Sequence, residues 1–454
     1  MKIIVVGAGK VGYTISEQLS KEGHDIVVVD NDYEKLRYVS NSLDIQGVTG
    51  NGTKFKVQQE ADVENADLLI AVTDKDEINM LSCLIAKKAG NCKTVARIRN
   101  PEYIDEINYI KEELGLAMFL NPEMEAAHDI AKLIQIPSAL DVDTFAKGRI
   151  NLIKIRIPKT SVLNGLVIKE LSSHLSKLLI CIVERNESII IPNGNTVLYE
   201  DDIIYIVTPF YEMRNVLKKA GIKTKSLKNI IIAGGGKISY YLAQILLKSN
   251  LNVKIVESDR KKCEALSEML PNAMIICGDV TNRELLLEEN VLDADAFVTL
   301  TNIDEGNIVL SLFVNKISEA KIITKINKLT FEEVTKSLEI GSIVCPKNIT
   351  AERIISYVRS LQNSLGSNVE TLYRMLDNRI EALELKVVEN EKTKKILNTP
   401  LKDLNIIENA IVCCINRNGR IITPTGKDYI KKGDTVVIVT SVLGIDDLSN
   451  IIRG

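Results

Sequence analysis

The sequence predicts an α/β protein built twice along one chain, with two doubly wound parallel-sheet domains that are each followed by a small α+β module. One sign is a strand that runs into a glycine turn in both halves. Ile3-Ile4-Val5-Val6 leads into Gly7-Ala8-Gly9-Lys10-Val11-Gly12, and Ile230-Ile231-Ile232-Ala233 leads into Gly234-Gly235-Gly236-Lys237-Ile238-Ser239. Another is register. Gly7 and Gly234, and Asp30 and Glu257, are 227 residues apart; Gly50 and Gly278, Thr73 and Thr301, Asn79 and Asn307, and Arg97 and Lys325 are 228 apart. Pro192 and Pro424, Gly194 and Gly426, Asp202 and Asp434, and Thr208 and Thr440 are 232 apart. A drift from 227 to 232 across the whole half identifies duplication of a composite unit. The third sign is the alternation of strand and helix patterns, which demands a parallel sheet with helices on both faces.

Along the first half, strand-like runs fall at residues 2–6, 25–30, 44–48, 67–72 and 93–98. Helical patterns lie between them: Val11, Ile15 and Leu19 recur at spacing four, as do Ile238, Leu242 and Leu246 in the second half. Pro122 opens a helix over 123–135, and Pro346 opens its counterpart over 347–361. The grammar then changes. Residues 150–208 read as a strand, a short helix carrying Leu163 and Leu171, a strand at 179–183, a turn at Glu184-Arg185-Asn186, a strand at 189–191 and a last strand at 202–207. Residues 383–440 repeat this order, with the turn at Asn416-Arg417-Asn418-Gly419. Modules of ~60–80 residues bury little surface alone and are expected to pair with copies of themselves. The expected domains are 1–122 and 228–346 for the parallel sheets, and 123–222 and 347–454 for a linker helix plus module. Lys223 to Lys228 joins the halves, and the polar stretch Gln362 to Asn368 lengthens the second linker.

Composition narrows the function. A formal charge of −3 with interspersed signs, no Trp and seven Phe argue against a general nucleic-acid binder, which needs a basic stripe and stacking aromatics. The eight cysteines (Cys83, Cys92, Cys181, Cys263, Cys277, Cys345, Cys413, Cys414) form no C-x-x-C pair and read as small buried hydrophobes in a reducing compartment. Met1-Lys2 leads straight into a strand, so no signal peptide is expected. Apolar runs such as Leu178 to Val183 fall far short of the ~20 residues that span a bilayer.

The first glycine turn carries the strongest chemistry. Gly7 suits a tight turn after a strand, Gly9 lets a pyrophosphate approach the backbone, and Gly12 lets the helix lie close on the strand. The free N–H groups of the helix start face the anion. The next strand ends in Asp30, where a carboxylate can accept both hydroxyls of an adenosine ribose and disfavours a 2′-phosphate. NAD(H) or ATP/ADP is therefore expected over NADP. Gly50-Asn51-Gly52-Thr53 follows the third strand on the adenine side, and Thr73-Asp74 follows the fourth. Arg97 and Arg99 could grip a phosphate. Asn51 and Asp74 read equally as solvated loop residues, and the arginines do so less readily than as phosphate ligands. The second half offers Gly278-Asp279-Val280-Thr281, Thr301-Asn302 and Lys325, with Ser239 in place of the third glycine and no planar guanidinium.

Catalytic patterns are missing. No Tyr-x-x-x-Lys pair, Walker A, H-E-x-x-H or G-x-S-x-G occurs, and His24, His128 and His174 sit in unrelated segments. Binding is the expected output, with an NAD-dependent oxidoreductase of unknown substrate as the alternative.

The glycine turn, Val29-Asp30, Gly50-Asn51-Gly52, Ala71-Val72-Thr73-Asp74, Ala96-Arg97-Ile98-Arg99-Asn100-Pro101-Glu102-Tyr103 and the doubled architecture resemble the TrkA family of peripheral regulatory subunits of Trk-type potassium uptake systems. The resemblance spans essentially the whole chain and implies two tandem RCK units, each a Rossmann-like RCK-N domain and an RCK-C domain. It further implies a tetrameric ring on the cytoplasmic face of the membrane, docked beneath a membrane-embedded pore subunit, with NAD(H) and adenine nucleotides bound by the RCK-N domains. By position, Gly7, Ala8, Gly9, Lys10, Val11, Asp30, Asn51, Thr73, Asp74 and Arg97 would line the first site. Gly234, Gly235, Gly236, Lys237, Ile238 and Glu257 would line the second. A regulator of potassium efflux or of a cation/proton antiporter would share all these residues.

Overall fold

The computed structural model describes residues 1–145, 150–171, 175, 178–186, 188–209, 212–222, 226–327, 338–363, 369–376, 379–391, 393–443, 445 and 447–453. His174, residues 223–225 of the 223–228 joint and residues 364–368 of the second linker lie outside them.

The first half opens with β1 (Lys2–Val6), β2 (Asp25–Asp30), β3 (Gln46–Thr49), β4 (Leu68–Ala71), β5 (Lys93–Arg97) and β6 (Met118–Leu120). All pairings in this sheet are parallel, in the order β3-β2-β1-β4-β5-β6. Strands apolar on both faces, such as Ile3-Ile4-Val5, are buried throughout because helices cover both sides. Those helices are α1 (Lys10–Lys21), α2 (Tyr33–Leu43), α3 (Phe55–Glu60), α4 (Asp76–Ala89), α5 (Pro101–Asp105) and α6 (Ile107–Glu113), with α7 (Pro122–Gln135) leading out. Chain order reverses between β1 and β4. Ligands of open α/β sheets bind at such a switch point, beyond the carboxyl ends of the strands.

The small module that follows holds β7 (Asp141–Phe145), β8 (Ile150–Arg156), β9 (Leu179–Arg185), β10 (Ser188–Ile190), β11 (Ile203–Pro209) and α8 (Met213–Lys219). Its antiparallel order is β10-β9-β11-β8-β7. Of the short helix expected around Leu163 and Leu171, the end at Leu171 is helical among the described residues, and the stretch around Leu163 is not. A single 3₁₀ turn at Ile168–Glu170 stands between the two, because Gly165 takes φ +82° and turns the chain away from a helical path. Leu163 and Leu171 are still buried anchors.

The second half repeats the plan. β12 (Asn229–Ala233), β13 (Asn252–Glu257), β14 (Met274–Cys277), β15 (Ala296–Thr299), β16 (Lys321–Lys325) and β17 (Ser342–Val344) order as β14-β13-β12-β15-β16-β17. They are flanked by α9 (Lys237–Lys248), α10 (Arg260–Met269), α11 (Arg283–Glu288) and α12 (Asp304–Ile317), and α13 (Pro346–Asn363) leads out. β18 (Val369–Met375), β19 (Ile380–Lys386), β20 (Ala410–Arg417), β21 (Arg420–Ile422) and β22 (Thr435–Thr440) form the antiparallel sheet β18-β19-β22-β20-β21. The fold class is thus two Rossmann-like parallel sheets, each followed by an antiparallel module.

The chain groups by kind rather than by half. Met1–Ile130, Ile230–Ser318 and Ile323–Ile355 compose one compact unit, which holds both parallel sheets. Ala131–Asn229, Glu319–Ile322 and the described residues from Ser356 onward compose the other. Within the latter, Ile150, Leu152 and Cys181 share one apolar core with Ile380, Cys413 and Val439, so each small module pairs with its copy in the same chain. Asp202 and Asp434, matched by the repeat, are buried hairpin clasps. Arg185 donates to both oxygens of Asp202 at 2.7 and 2.6 Å, and Arg417 grips Asp434 the same way. All the cysteines but one are buried as expected, and Cys277 is exposed, because it ends a strand on the outer edge of the second parallel sheet. Among the described residues no helix is long and apolar enough to cross a membrane.

Candidate nucleotide-binding sites

Each glycine turn sits at the switch point of its sheet. Gly7 leaves β1 at φ +115° and Gly234 leaves β12 at φ +105°, a backbone conformation that L side chains rarely adopt. A Cβ on Gly7 would also press on the Thr73 amide nitrogen at 3.0 Å, so the turn lies directly against the loop after β4. Gly9 and Gly236 cap the helices α1 and α9 in extended conformation without a side-chain acceptor for the first N–H groups. The next helices, α2 and α10, are capped by Asp32 and Asp259, while α3, α4 and α12 also begin without a side-chain cap but on a residue that is not glycine. A Cβ on Gly9 or Gly236 would meet nothing within 4 Å, so the bare helix ends open onto free space. Donors without a side-chain acceptor, facing an unobstructed approach at the positive end of a helix, fit an anionic diphosphate.

The strand-end carboxylates lie beside these turns. Asp30 accepts the Ala8 N–H at 2.6 Å and the Asp32 N–H at 2.8 Å; Glu257 accepts the Gly235 N–H at 2.7 Å and the Asp259 N–H at 2.9 Å. Burial raises the Glu257 pKa, but the N–H donors of Asp259 and Gly235 outweigh it and hold the carboxyl below its ordinary value. The longer acid has a steric counterpart. A methyl on Gly235 would meet the Leu266 Cδ1 at 2.7 Å and the Glu257 Cβ and Cγ at 3.0 Å, and the first half carries Ala8 with the smaller Val39 and Asp30 at these positions. Ala8 with Val39 and Asp30, and Gly235 with Leu266 and Glu257, are therefore matched sets.

The third turn position differs in kind. A Cβ on Gly12 would overlap the Gly7 carbonyl oxygen, so α1 packs backbone to backbone on its turn. At the equivalent position Ser239 is buried and donates its hydroxyl to the Gly234 carbonyl. The second helix thus holds its turn by a side-chain hydrogen bond, and its cap conformation is nearly that of the first, at φ −81° against −70°.

Behind Thr73 and Thr301 stands a bracket that motif reasoning overlooked. Buried Asn79 accepts the Thr73 N–H at 2.8 Å and its hydroxyl at 2.7 Å, and donates to the Thr73 carbonyl at 3.1 Å and the Arg97 carbonyl at 2.9 Å. Asn307 repeats every bond with Thr301 and Lys325. The signal was present, since Asn79 and Asn307 match in the repeat, but a polar residue on a buried helix face has no motif.

The expected phosphate-gripping groups are placed differently from one another. The Arg97 side chain is 7% exposed; Nη2 donates to the Thr73 carbonyl at 2.6 Å and to Asp74 at 3.1 Å, while Nε has no partner among the described residues. Burial, then the neighbouring Arg99, lowers its pKa against the pull of Glu123 and Asp74. Asp74 itself is 98% exposed. Lys325 is buried and donates to the Leu300 carbonyl at 3.4 Å. Asn51 is exposed, with its side chain accepting from Thr53 in its own turn, and Lys10 and Lys237 are exposed beside the cradles. Val11 is half-buried and Ile238 buried. Tyr241, another residue the sequence did not signal, ties the two parallel-sheet domains together. Its hydroxyl donates to the Arg99 carbonyl and accepts from Asn121, both at 3.1 Å.

Comparison with known proteins agrees with this geometry. The TrkA-N domain model matches residues 3–121 and 230–346, and the TrkA-C domain model matches 152–221 and 386–453. The Trk system potassium uptake protein TrkA homolog of Archaeoglobus fulgidus is 31% identical over 453 residues, covering 100% of both chains. The Trk system potassium uptake protein TrkA of Vibrio alginolyticus is 31% identical over 443 residues, covering 96% of this chain and 95% of the relative. Among solved structures, the GsuK channel superposes with a TM-score of 0.66 at 16% identity, over 97% of this chain and 76% of that one. The GsuK RCK domain gives 0.64 at 16% identity, over 96% and 92%. At that identity the solved structures speak to fold alone. With both domain types matched in both halves and full-length relatives at this identity, the chain belongs to the TrkA family.

Proposed function

We propose that this chain is a nucleotide-binding regulatory subunit of a potassium uptake system, acting by binding and not by turnover. The observation that carries the reading is the pair of bare helix N-termini, each open to solvent at a switch point and each beside a strand-end carboxylate. Its relatives bear the name Trk system potassium uptake protein. The nucleotide-binding domains are 1–122 and 228–346, and 123–222 and 347–454 carry the linker helices and small modules. Gly7, Ala8, Gly9, Lys10 and Val11 present the diphosphate cradle, Asp30 the ribose acceptor, and Asn51, Thr73, Asp74 and Arg97 the surrounding loops. Gly234 to Ile238 and Glu257 do the same in the second half. Asp30 favours NAD(H) and ATP/ADP over a 2′-phosphorylated cofactor. The partner is a membrane-embedded pore subunit, met from the cytoplasmic side by a tetramer of this chain.

In this reading, nucleotide moves the pore only through a difference in affinity between two arrangements of the protein. A tenfold preference at one site supplies ~1.4 kcal/mol, and equivalent sites add. Asp30→Ala removes the ribose acceptor and one tie on the Ala8 N–H. It is expected to weaken NADH binding by about tenfold or more in calorimetry. Unchanged affinity would reject the site, and NADH consumption by the purified chain would favour the oxidoreductase.

A further inference from the structure

Two of the cysteines share one peptide group. Cys277 ends β14 and pairs in register with Glu257 at the end of β13. Cys263, in the first turns of α10, is buried and donates its thiol to the Glu257 carbonyl at 3.2 Å. The same carbonyl accepts the Gly278 N–H at 2.8 Å. Both cysteines thus stand against Glu257, one on its carbonyl and the other as its register partner, and of the two only Cys277 is exposed. The first half carries Leu36 and Thr49 at the matching positions, 263 − 227 and 277 − 228, so the pair belongs to the second half. Cys181 and Cys413 also lie close, but both are sealed in an apolar core with no path for a reagent.

We propose that Cys263 and Cys277 form a thiol–disulfide modification site at the rim of the second glycine turn, oxidised by low-molecular-weight disulfides. The exposed Cys277 loses its proton to solvent and attacks one sulfur of the reagent, forming a mixed disulfide and releasing one small thiol. Cys263 then gives up its proton and attacks the Cys277 sulfur, which breaks the mixed disulfide and releases the second small thiol. Two protein S–H groups and one reagent S–S bond become one protein S–S bond and two small thiols, so the protein is oxidised and the reagent reduced. The order follows from setting: burial first, and the Cys277 contact second, push the Cys263 thiol up to about 11, which suits the resolving and not the attacking role. Oxidation removes the S–H donor from the Glu257 carbonyl and ties the Gly278–Asp279 loop to α10. Resting on the nucleotide-binding reading above, this shifts affinity at the second site and spares the first.

The test is to treat the full chain with oxidised glutathione, alkylate remaining thiols under denaturing conditions and map the peptides by mass spectrometry. The expected product is a Cys263–Cys277 linked peptide, two hydrogens lighter than its reduced parts and cleaved by dithiothreitol. In Cys263→Ala the reaction should stop at glutathione on Cys277, and Cys277→Ser should give neither product. Wild-type protein that keeps glutathione on Cys277 with Cys263 alkylated would overturn the proposal. Because this readout needs no nucleotide, the linked peptide supports the site even where nucleotide binding fails. Calorimetry on Asp30→Ala protein, whose first site is weakened, before and after linking reads the second site as the tighter phase; a several-fold change in its affinity is expected, and an unchanged value overturns the regulatory consequence.

Discussion

The two parallel-sheet domains reach the same cradle by different packing. In the first, Gly52 leaves space for Val6, whose methyl a Cβ there would strike, and the buried Gln58 amide ties the Gly52 carbonyl to the Ser82 carbonyl at 2.6 and 2.9 Å. In the second, the matching residues are Ala233, Val280, Leu286 and Leu310. A small strand residue now faces a large loop residue, and an apolar plug replaces the amide clamp. Together with Ala8, Val39 and Asp30 against Gly235, Leu266 and Glu257, and Gly12 against Ser239, the differences come as compensated sets. Volume and hydrogen bonding have been exchanged among neighbours while the glycine turn, the bare helix end and the asparagine bracket stayed the same. The lesson is that cradle geometry constrains the backbone tightly and its supports loosely.

The strongest way to break this comparison is to move one member of a set. Gly12→Ser places a side chain against the Gly7 carbonyl and is expected to cost about 3 kcal/mol in denaturant unfolding. The reverse change, Ser239→Gly, loses a hydrogen bond and helix propensity, for about 1–2 kcal/mol. Equal losses would mean that the two helices pack alike. Asn79→Ala and Asn307→Ala, by contrast, should each cost about 2 kcal/mol, because each strands the same buried donors and acceptors. A large gap between those two values would show that the brackets are not equivalent.

A finer test uses the acid. Carrying the second half's residues into the first, Val39→Leu with Asp30→Glu should crowd the Ala8 methyl, and adding Ala8→Gly should relieve it, giving a coupling of about 1 kcal/mol in a thermodynamic cycle. Additive effects would dissolve the matched set. The smallest effect concerns Lys325, whose pKa burial lowers from 10.5 despite the pull of Asp304 and Glu123. A lysine whose folded pKa is depressed penalises the folded state while it is charged. Stability should therefore rise as pH climbs from that lowered value towards 10.5, and Lys325→Met should flatten this part of the pH–stability curve. Arg97, its counterpart, should show no such rise, since a guanidinium stays protonated there.

Much of this architecture was legible in the residues. The glycine turns, five of the six strands of the first sheet, the proline-led helices and the duplication could all be read from local pattern and spacing. The strand Met118–Leu120 was not, because three residues with two half-buried side chains make no periodic signal. The helix expected around Leu163 and Leu171 does not begin at Leu163, because the left-handed φ of Gly165 overrides apolar spacing there. The site was legible where backbone conformation demands a residue type, as at Gly7 and Gly234. It was not legible where the role depends on three-dimensional neighbours. Sequence spacing does not tell that Arg97 is buried and braces the Thr73 carbonyl, and Tyr241 departs from the repeat, with Thr14 at its matching position.

The apolar core that Ile150, Leu152 and Cys181 share with Ile380, Cys413 and Val439 changes what dilution can do to this protein. Two separate chains meeting through such a surface would dissociate as their concentration fell. Here the partner is tethered, so its local concentration is set by the linker and not by expression level. Because the two faces are encoded separately, a change on one need not appear on the other, and an asymmetric pair can persist that identical subunits could never form.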